Sequence, residues 1–361
     1  MDDEFTQFVQ FMNQMRMTGN HIDLTQIHEQ YLIPKEKMAQ MSGQIYSKLN
    51  KKNLNKCLFP GCNENAILSH SIQRSLLETI ADKTNHVYQF SLKAEFTYEG
   101  KIETVIEKIG INKASTFYGY CVKHDTELFL PIENSPIQNN NLEQQFLLLL
   151  RALNKEYHDS KNSYFRLRDT LFPLLNNYEK DDVRVPYIIS HVYLRFCEYN
   201  RIEKIKEIID TAFFLKQYTV PFTFKSKIID MKCPVFVSTF FSIQGTIDNT
   251  THDIDITQDL PYYFSLTVLP VGNNQTGVFY AFITEQANSI NDFLLKFEEP
   301  DITKSQLFLT DTILRNSQNF YLSSDRYESM GECEKTAMTD FFYHTVTNRN
   351  YENTKYPNLF I

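Results

Sequence analysis

The sequence has no tryptophan and only 10 glycines in 361 residues. It contains no G-x-G-x-x-G and no G-x-x-x-x-G-K-[ST]. Those absences exclude the glycine-rich loops that cradle nucleotide phosphates. A G-x-S-x-G turn is absent too, and no Cys–His pair is arranged as in a protease. No run of 18 apolar residues occurs, so no membrane span is expected. The apolar stretch from Phe146 to Leu150 is short and is flanked by Glu143 and Arg151. The N-terminus, Met1-Asp2-Asp3-Glu4, is acidic where a secretory signal would be basic, so a cytoplasmic chain is expected. The net charge of -8 weighs against binding nucleic acid by overall electrostatics alone. A local basic patch remains open at Lys48, Lys51, Lys52 and Lys56; its other reading is a solvated lysine face.

What is present is apolar material, 42% of the residues, with 14% aromatic. That is enough for more than one core and excludes wholesale disorder. The fold class expected is α+β multidomain. Residues 1–50 carry helical apolar stripes, Phe5 to Met17 and Pro34 to Leu49. Residues 51–135 form a candidate zinc domain. Asn134 to Asn141 is a polar linker. Residues 142–218 are helical throughout, with four apolar stripes that predict a bundle or hairpin array. From 219 to 361 the chain turns β-rich, with strands expected near 221–224, 235–240, 262–268 and 277–283. Val271 to Thr276 is the expected hairpin loop, and helices are expected at 289–297, 303–316 and 333–346.

The chemistry concentrates between Cys57 and Asp125. Cys57 and Cys62 enclose a Leu-Phe-Pro-Gly turn, and Cys121 and His124 form a second close pair. Two short pairs of soft or borderline ligands are how a chain builds a closed tetrahedral zinc site. The alternative is four residues with no shared role. Cys197, Cys233 and Cys333 are scattered and are expected to be buried thiols. The polar turn with His252, Asp253 and Asp255 is a weaker metal candidate.

The order of features resembles the zinc-stapled HNH endonucleases, a ββα-metal fold built on a treble clef. In that family a Cys pair comes first, a strand ends in a histidine usually preceded by Asp or Glu, and a structural Asn and a second Cys pair follow, with a His or Asn just after that pair. Cys57 and Cys62 match the first pair, His70 the strand-end histidine, Cys121 and His124 the second pair, and Asp125 the position after it. The resemblance covers roughly 70 of the 361 residues. It departs at Ser69, where the family supplies a carboxylate, and at Thr116, where a structural Asn is usual, with Asn112 four residues off. It implies a metal-dependent endonuclease acting on DNA or RNA. His70 would be the base and Asp125 would help hold Mg²⁺ or Mn²⁺, with the zinc structural. Bacterial defence against phage or mobile DNA is a setting the resemblance permits.

His70 has two other readings, a hydrogen-bonded histidine at a helix start with Ser69 as N-cap, or a zinc ligand. Asp125 has one, a solvated helix residue. The function from a different class is a non-catalytic binding or scaffold protein with a structural zinc knuckle. In either case the C-terminal half would bind a protein partner or form a homo-oligomer.

Overall fold

The computed structural model describes residues 43–45, 47–48, 55–93, 103–179, 184–243, 262–272, 274–347 and 358–360. The expected helix over Phe5 to Met17, most of that over Pro34 to Leu49, Lys51 and Lys52 of the basic patch, and the His252 turn lie outside these residues. The chain forms a mixed α+β protein that divides into two units.

The larger unit spans residues 50–95, 101–159 and 201–361. Its framework is an antiparallel sheet of seven strands. The strands are β2 (His86–Lys93), β3 (Glu103–Gly110), β5 (Phe222–Ile229), β6 (Val235–Ser242), β7 (Tyr263–Pro270), β8 (Thr276–Ile283) and β9 (Phe320–Leu322). Their order is β3-β2-β9-β6-β7-β8-β5. The short β9 pairs with β2 on one side, Tyr88 opposite Leu322, and with β6 on the other, Val235 opposite Leu322. Strands that lie between the two ligand pairs in sequence thus share a sheet with strands from the C-terminal half.

The four β-rich runs read from the sequence are β5 to β8, and β7 and β8 pair as a hairpin, with Val271 N donating to the Gln275 carbonyl. Strands β6 to β8 carry apolar side chains on both faces. On one face Val237, Phe264, Leu266, Val268 and Phe282 pack in one core with Leu294, Phe297, Ile313 and Phe341. Those last four come from helices α6 (Asn291–Phe297), α7 (Ile302–Asn316) and α9 (Glu332–Thr347). Burying each such side chain stabilises the fold by about 2–3 kcal/mol. The opposite face includes Ser265, Thr267, Phe279 and Ala281 and lies under Gln145, Leu148 and Leu149 of helix α4 (Leu142–Leu175). Leu359 and Phe360, near the C-terminal end of the sequence, are buried in the same core.

A two-stranded ladder completes this unit. β1 (Leu68–His70) pairs antiparallel with β4 (Thr116–Tyr118), setting His70 opposite Thr116. Helix α1 (Arg74–Ile80) follows β1, and helices α2 (Val122–Leu128) and α3 (Leu130–Glu133) follow β4. A buried polar network holds the β1–β4 loops to the sheet. Asn319 Nδ2 donates to Ser71 Oγ at 2.8 Å and to the Ser238 carbonyl at 2.6 Å, and Ser115 N donates to Tyr321 Oη at 2.5 Å. Helix α8 (Ser324–Ser329) is capped by Ser323, whose Oγ accepts from Arg326 N.

The smaller unit includes residues 160–200. Tyr164, Leu171, Leu174, Ile188 and Val192 form its buried cluster, with Phe165, Phe196 and Tyr199 packed against them. These residues lie on α4 and on α5 (Arg184–Leu215). The four stripes read between 142 and 218 fall on these two long helices. Neither Gly nor Pro interrupts 158–164 or 198–201, so nothing in those polar stretches breaks a helix.

Candidate metal centre

The first pair is presented by a tight turn. Cys62 N donates to the Phe59 carbonyl at 3.0 Å and Cys57 N to the Glu64 carbonyl at 2.9 Å. Pro60 fixes the second position of that turn, and Gly61 occupies the third with φ of 78°, a left-handed conformation that favours glycine. The turn is bonded directly to the β1–β4 ladder. Leu58 N donates to the Gly119 carbonyl at 2.8 Å and Ile67 N to the Tyr120 carbonyl at 2.7 Å. Gly119 admits no side chain, because a Cβ there would stand 2.6 Å from the Phe117 ring and 3.2 Å from Ser69 Cβ.

The second pair sits where β4 gives way to α2. Cys121 is the extended N-cap residue, and its carbonyl accepts from Asp125 N at 2.8 Å. His124 therefore falls in the first helical turn. Its ring lies flat on Phe59, centroids 3.9 Å apart and planes 7° from parallel, so the first turn orients the imidazole of the second.

The four ligand atoms of Cys57, Cys62, Cys121 and His124 lie within 4.8 Å of one another. Cys57 Sγ is 3.4 Å and Cys121 Sγ 3.3 Å from His124 Nδ1, and the Cys62 and Cys121 sulfurs are 4.0 Å apart. Zinc–sulfur bonds of about 2.3 Å at tetrahedral angles separate two sulfurs by roughly 3.8 Å, with sulfur–nitrogen edges somewhat shorter. The Cys₃His donor set and its spacing therefore fit a closed site for a metal such as zinc. Cys57 and Cys121 are buried. Burial pushes the Cys57 thiol up to about 12, so a bound cation would have to displace its proton.

The knuckle is braced from α4 and α5 within the same unit. Lys206, 8% exposed, donates from Nζ to the Leu58 carbonyl at 3.1 Å and pairs with Asp210 at 2.5 Å. Phe59 meets Phe213 and Phe214 edge-on. Tyr120 Oη accepts from Asn154 Nδ2 at 2.5 Å.

His70 stands on β1, outside the four-ligand cluster. Its Nε2 is 3.1 Å from the Ile111 carbonyl, which accepts the proton of that nitrogen and leaves Nδ1 as the acceptor. Burial lowers its pKa below the ordinary histidine value. The Ile111 bond and Asp125 oppose that shift, while Arg151 and Arg74 reinforce it. Asp125 is half-buried, and burial raises its pKa. A Ser69 hydrogen bond and Arg151 act against the rise, and Glu133 adds to it.

Several sequence readings change here. Ser69 does not cap a helix: it lies in β1, its Oγ accepts from Tyr120 N at 3.1 Å, and α1 begins only at Arg74 after Gln73. Asn112 accepts from Arg74 Nε at 2.7 Å, and Thr116 bonds to the Lys113 carbonyl. Cys197 and Cys233 are buried, whereas Cys333 is exposed, because it lies in the first turn of α9. Lys56 is exposed and donates to Asn65 Oδ1 at 2.9 Å.

Sequence reading missed the Arg151–Glu133 pair. Arg151 is 5% exposed, its Nη2 is 2.5 Å from Glu133 Oε1, and its guanidinium lies 4.0 Å over the Phe129 ring. The available signal was an arginine next to a run of buried residues, Phe146 to Leu150, on α4. No helix among the described residues is long and apolar enough to cross a membrane. No protein-family model matches the chain, and no curated protein or solved structure matches it significantly.

Proposed function

We propose that Cys57, Cys62, Cys121 and His124 hold a structural zinc ion, and that the zinc staples an HNH-like site for cleaving phosphodiester bonds in nucleic acid. One observation carries this reading: the order of elements around the cluster. A knuckle leads into a strand ending at His70, an antiparallel strand returns, and a helix opens on Cys121, His124 and Asp125. Asp125 acts electrostatically on His70, which supports a shared role for the two groups.

The chemistry follows from the tautomer. With Nε2–H donated to the Ile111 carbonyl, His70 Nδ1 is free to accept a proton. A water oxygen would attack phosphorus as its proton passes to Nδ1. The bond from phosphorus to the leaving sugar oxygen would break, and that oxygen would take a proton from solvent. A depressed pKa keeps His70 neutral near pH 7, the state a base requires. Asp125 supplies the hard oxygen ligand for Mg²⁺ or Mn²⁺, which when bound neutralises developing charge on the phosphate.

The test is nicking of supercoiled plasmid DNA and of single-stranded RNA with Mg²⁺ or Mn²⁺. His70→Ala should lose activity by about 10²-fold or more while keeping its zinc. Equal cleavage by His70→Ala and the wild type would refute the assignment.

A second reading, a binding or scaffold protein with a structural knuckle, has its own support. Ser69, at the position of the family's carboxylate, offers a hydroxyl that accepts from Tyr120 N, and Lys206, Phe213 and Phe214 brace the knuckle as packing would require. Absence of cleavage from a zinc-loaded, folded protein on every substrate would favour it.

A further inference from the structure

The segment that follows Asp125 is held by a buried cation that no part of the HNH resemblance assigns. Arg151 projects from α4, is 5% exposed, and is gripped in two ways. Glu133 takes its Nη2 at 2.5 Å, and its guanidinium carbon lies 4.0 Å over the Phe129 ring centre. Phe129 and Glu133 lie four and eight residues after Asp125, on the segment that continues α2 into α3. The guanidinium therefore clips the Asp125-bearing segment to α4. Its Nε is buried without a hydrogen-bond partner among the described residues, beside a cavity of about 20 Å³ also lined by Ser71 and Gln73. A buried arginine with a donor left unpaired contributes less to stability than a fully bonded one would. Its charge, meanwhile, reaches both His70 and Asp125.

We infer that Arg151 is a positioning residue of this site: held by Glu133 and Phe129, it fixes the segment that carries Asp125 and sets a buried positive charge that acts on His70. This rests on the reading of His70 as a base, but its electrostatic part can be measured without any substrate. The charged groups acting on His70 are Asp125, which favours protonation, and Arg151 and Arg74, which oppose it.

The experiment is an NMR titration of the His70 imidazole in the zinc-loaded full-length protein, beside plasmid cleavage with Mn²⁺. Arg151→Met should move the His70 midpoint up by about half a pH unit, the size expected of one charge beyond direct contact. Arg151→Lys should leave the midpoint in place but lower kcat by about tenfold, with KM little changed, because the fork to Glu133 is lost. If Arg151→Met does not fold, Arg151→Gln removes the charge while keeping a donor for Glu133. An unmoved midpoint in a folded, zinc-loaded, charge-free variant overturns the inference, as does wild-type kcat in Arg151→Lys. Full activity in His70→Ala would instead overturn the proposed function, leaving the titration to judge Arg151 separately.

Discussion

Replacing Cys121 with serine removes one of four metal donors and should separate the knuckle from the sheet. Structural zinc contributes about 10–16 kcal/mol in small metal-folded peptides, so one ligand accounts for roughly 3–4 kcal/mol, a loss of a few hundredfold in affinity. The surrounding elements have little stability of their own. β1 and β4 pair over three residues, and α2 has seven. A helix shorter than about 12 residues is marginal in water, and so is a lone two-stranded ladder. The seven-stranded sheet keeps its own core from Val235 to Phe282 and does not depend on the metal. Hydrogen exchange of Cys121→Ser should therefore show lost protection over 57–70 and 116–128, with strands β6 to β8 still protected. Elemental analysis should show about one zinc per wild-type chain and far less in the variant. Equal protection in wild type and variant, or a folded wild type without zinc, would refute the reasoning. In that event the 4.0 Å and 3.3 Å approaches would be ordinary packing of thiols and imidazole.

Further outcomes follow from individual contacts. Lys206→Met leaves Asp210, itself half-buried with a pKa raised by burial, without its partner, and should destabilise the protein by about 3 kcal/mol in denaturant melts. Adding Asp210→Leu should recover much of that loss; no recovery would count against the ion pair as its source. Asn319→Ala strips donors from Ser71 Oγ and the Ser238 carbonyl and should lower stability by about 2 kcal/mol, read as a drop in thermal midpoint. Cys333 should alkylate readily in the native protein, whereas Cys233, whose thiol burial pushes up to about 12, should not. Chelation should add the three cluster cysteines to the labelled set, read by mass spectrometry. The pH dependence of stability has a defined sign at His70. Its folded pKa is depressed, so its contribution is present above about 6.5 and is lost as pH falls through the folded value. His70→Gln should flatten that slope between neutral and mildly acidic pH; an unchanged slope would place the titration elsewhere.

The sequence made visible whatever is encoded locally. Val235 to Phe240 and Gly277 to Ile283 are β-branched and aromatic on both faces, and only a strand buried on both sides tolerates that. The ligand pairs were readable because chelation restricts residue type and spacing together. Pairing over long separations left no such mark. β9 is three residues long, too short for periodicity, yet it joins β2 to β6 and so ties the segment between the ligand pairs to the C-terminal strands. Ser69 shows the same limit at one residue. A serine before a helical stripe reads as an N-cap, but a tertiary demand prevails here, because Tyr120 N needs an acceptor beside the β1–β4 ladder. Arg151 is the sharper case. On a helical wheel it is a charge bordering an apolar run, and only the fold brings Glu133 and Phe129 to it from 18 and 22 residues earlier. Burying a guanidinium is unfavourable unless its geometry is well satisfied, and here one nitrogen is not. A charge kept at that disadvantage is where the proposed role of Arg151 toward His70 and Asp125 begins.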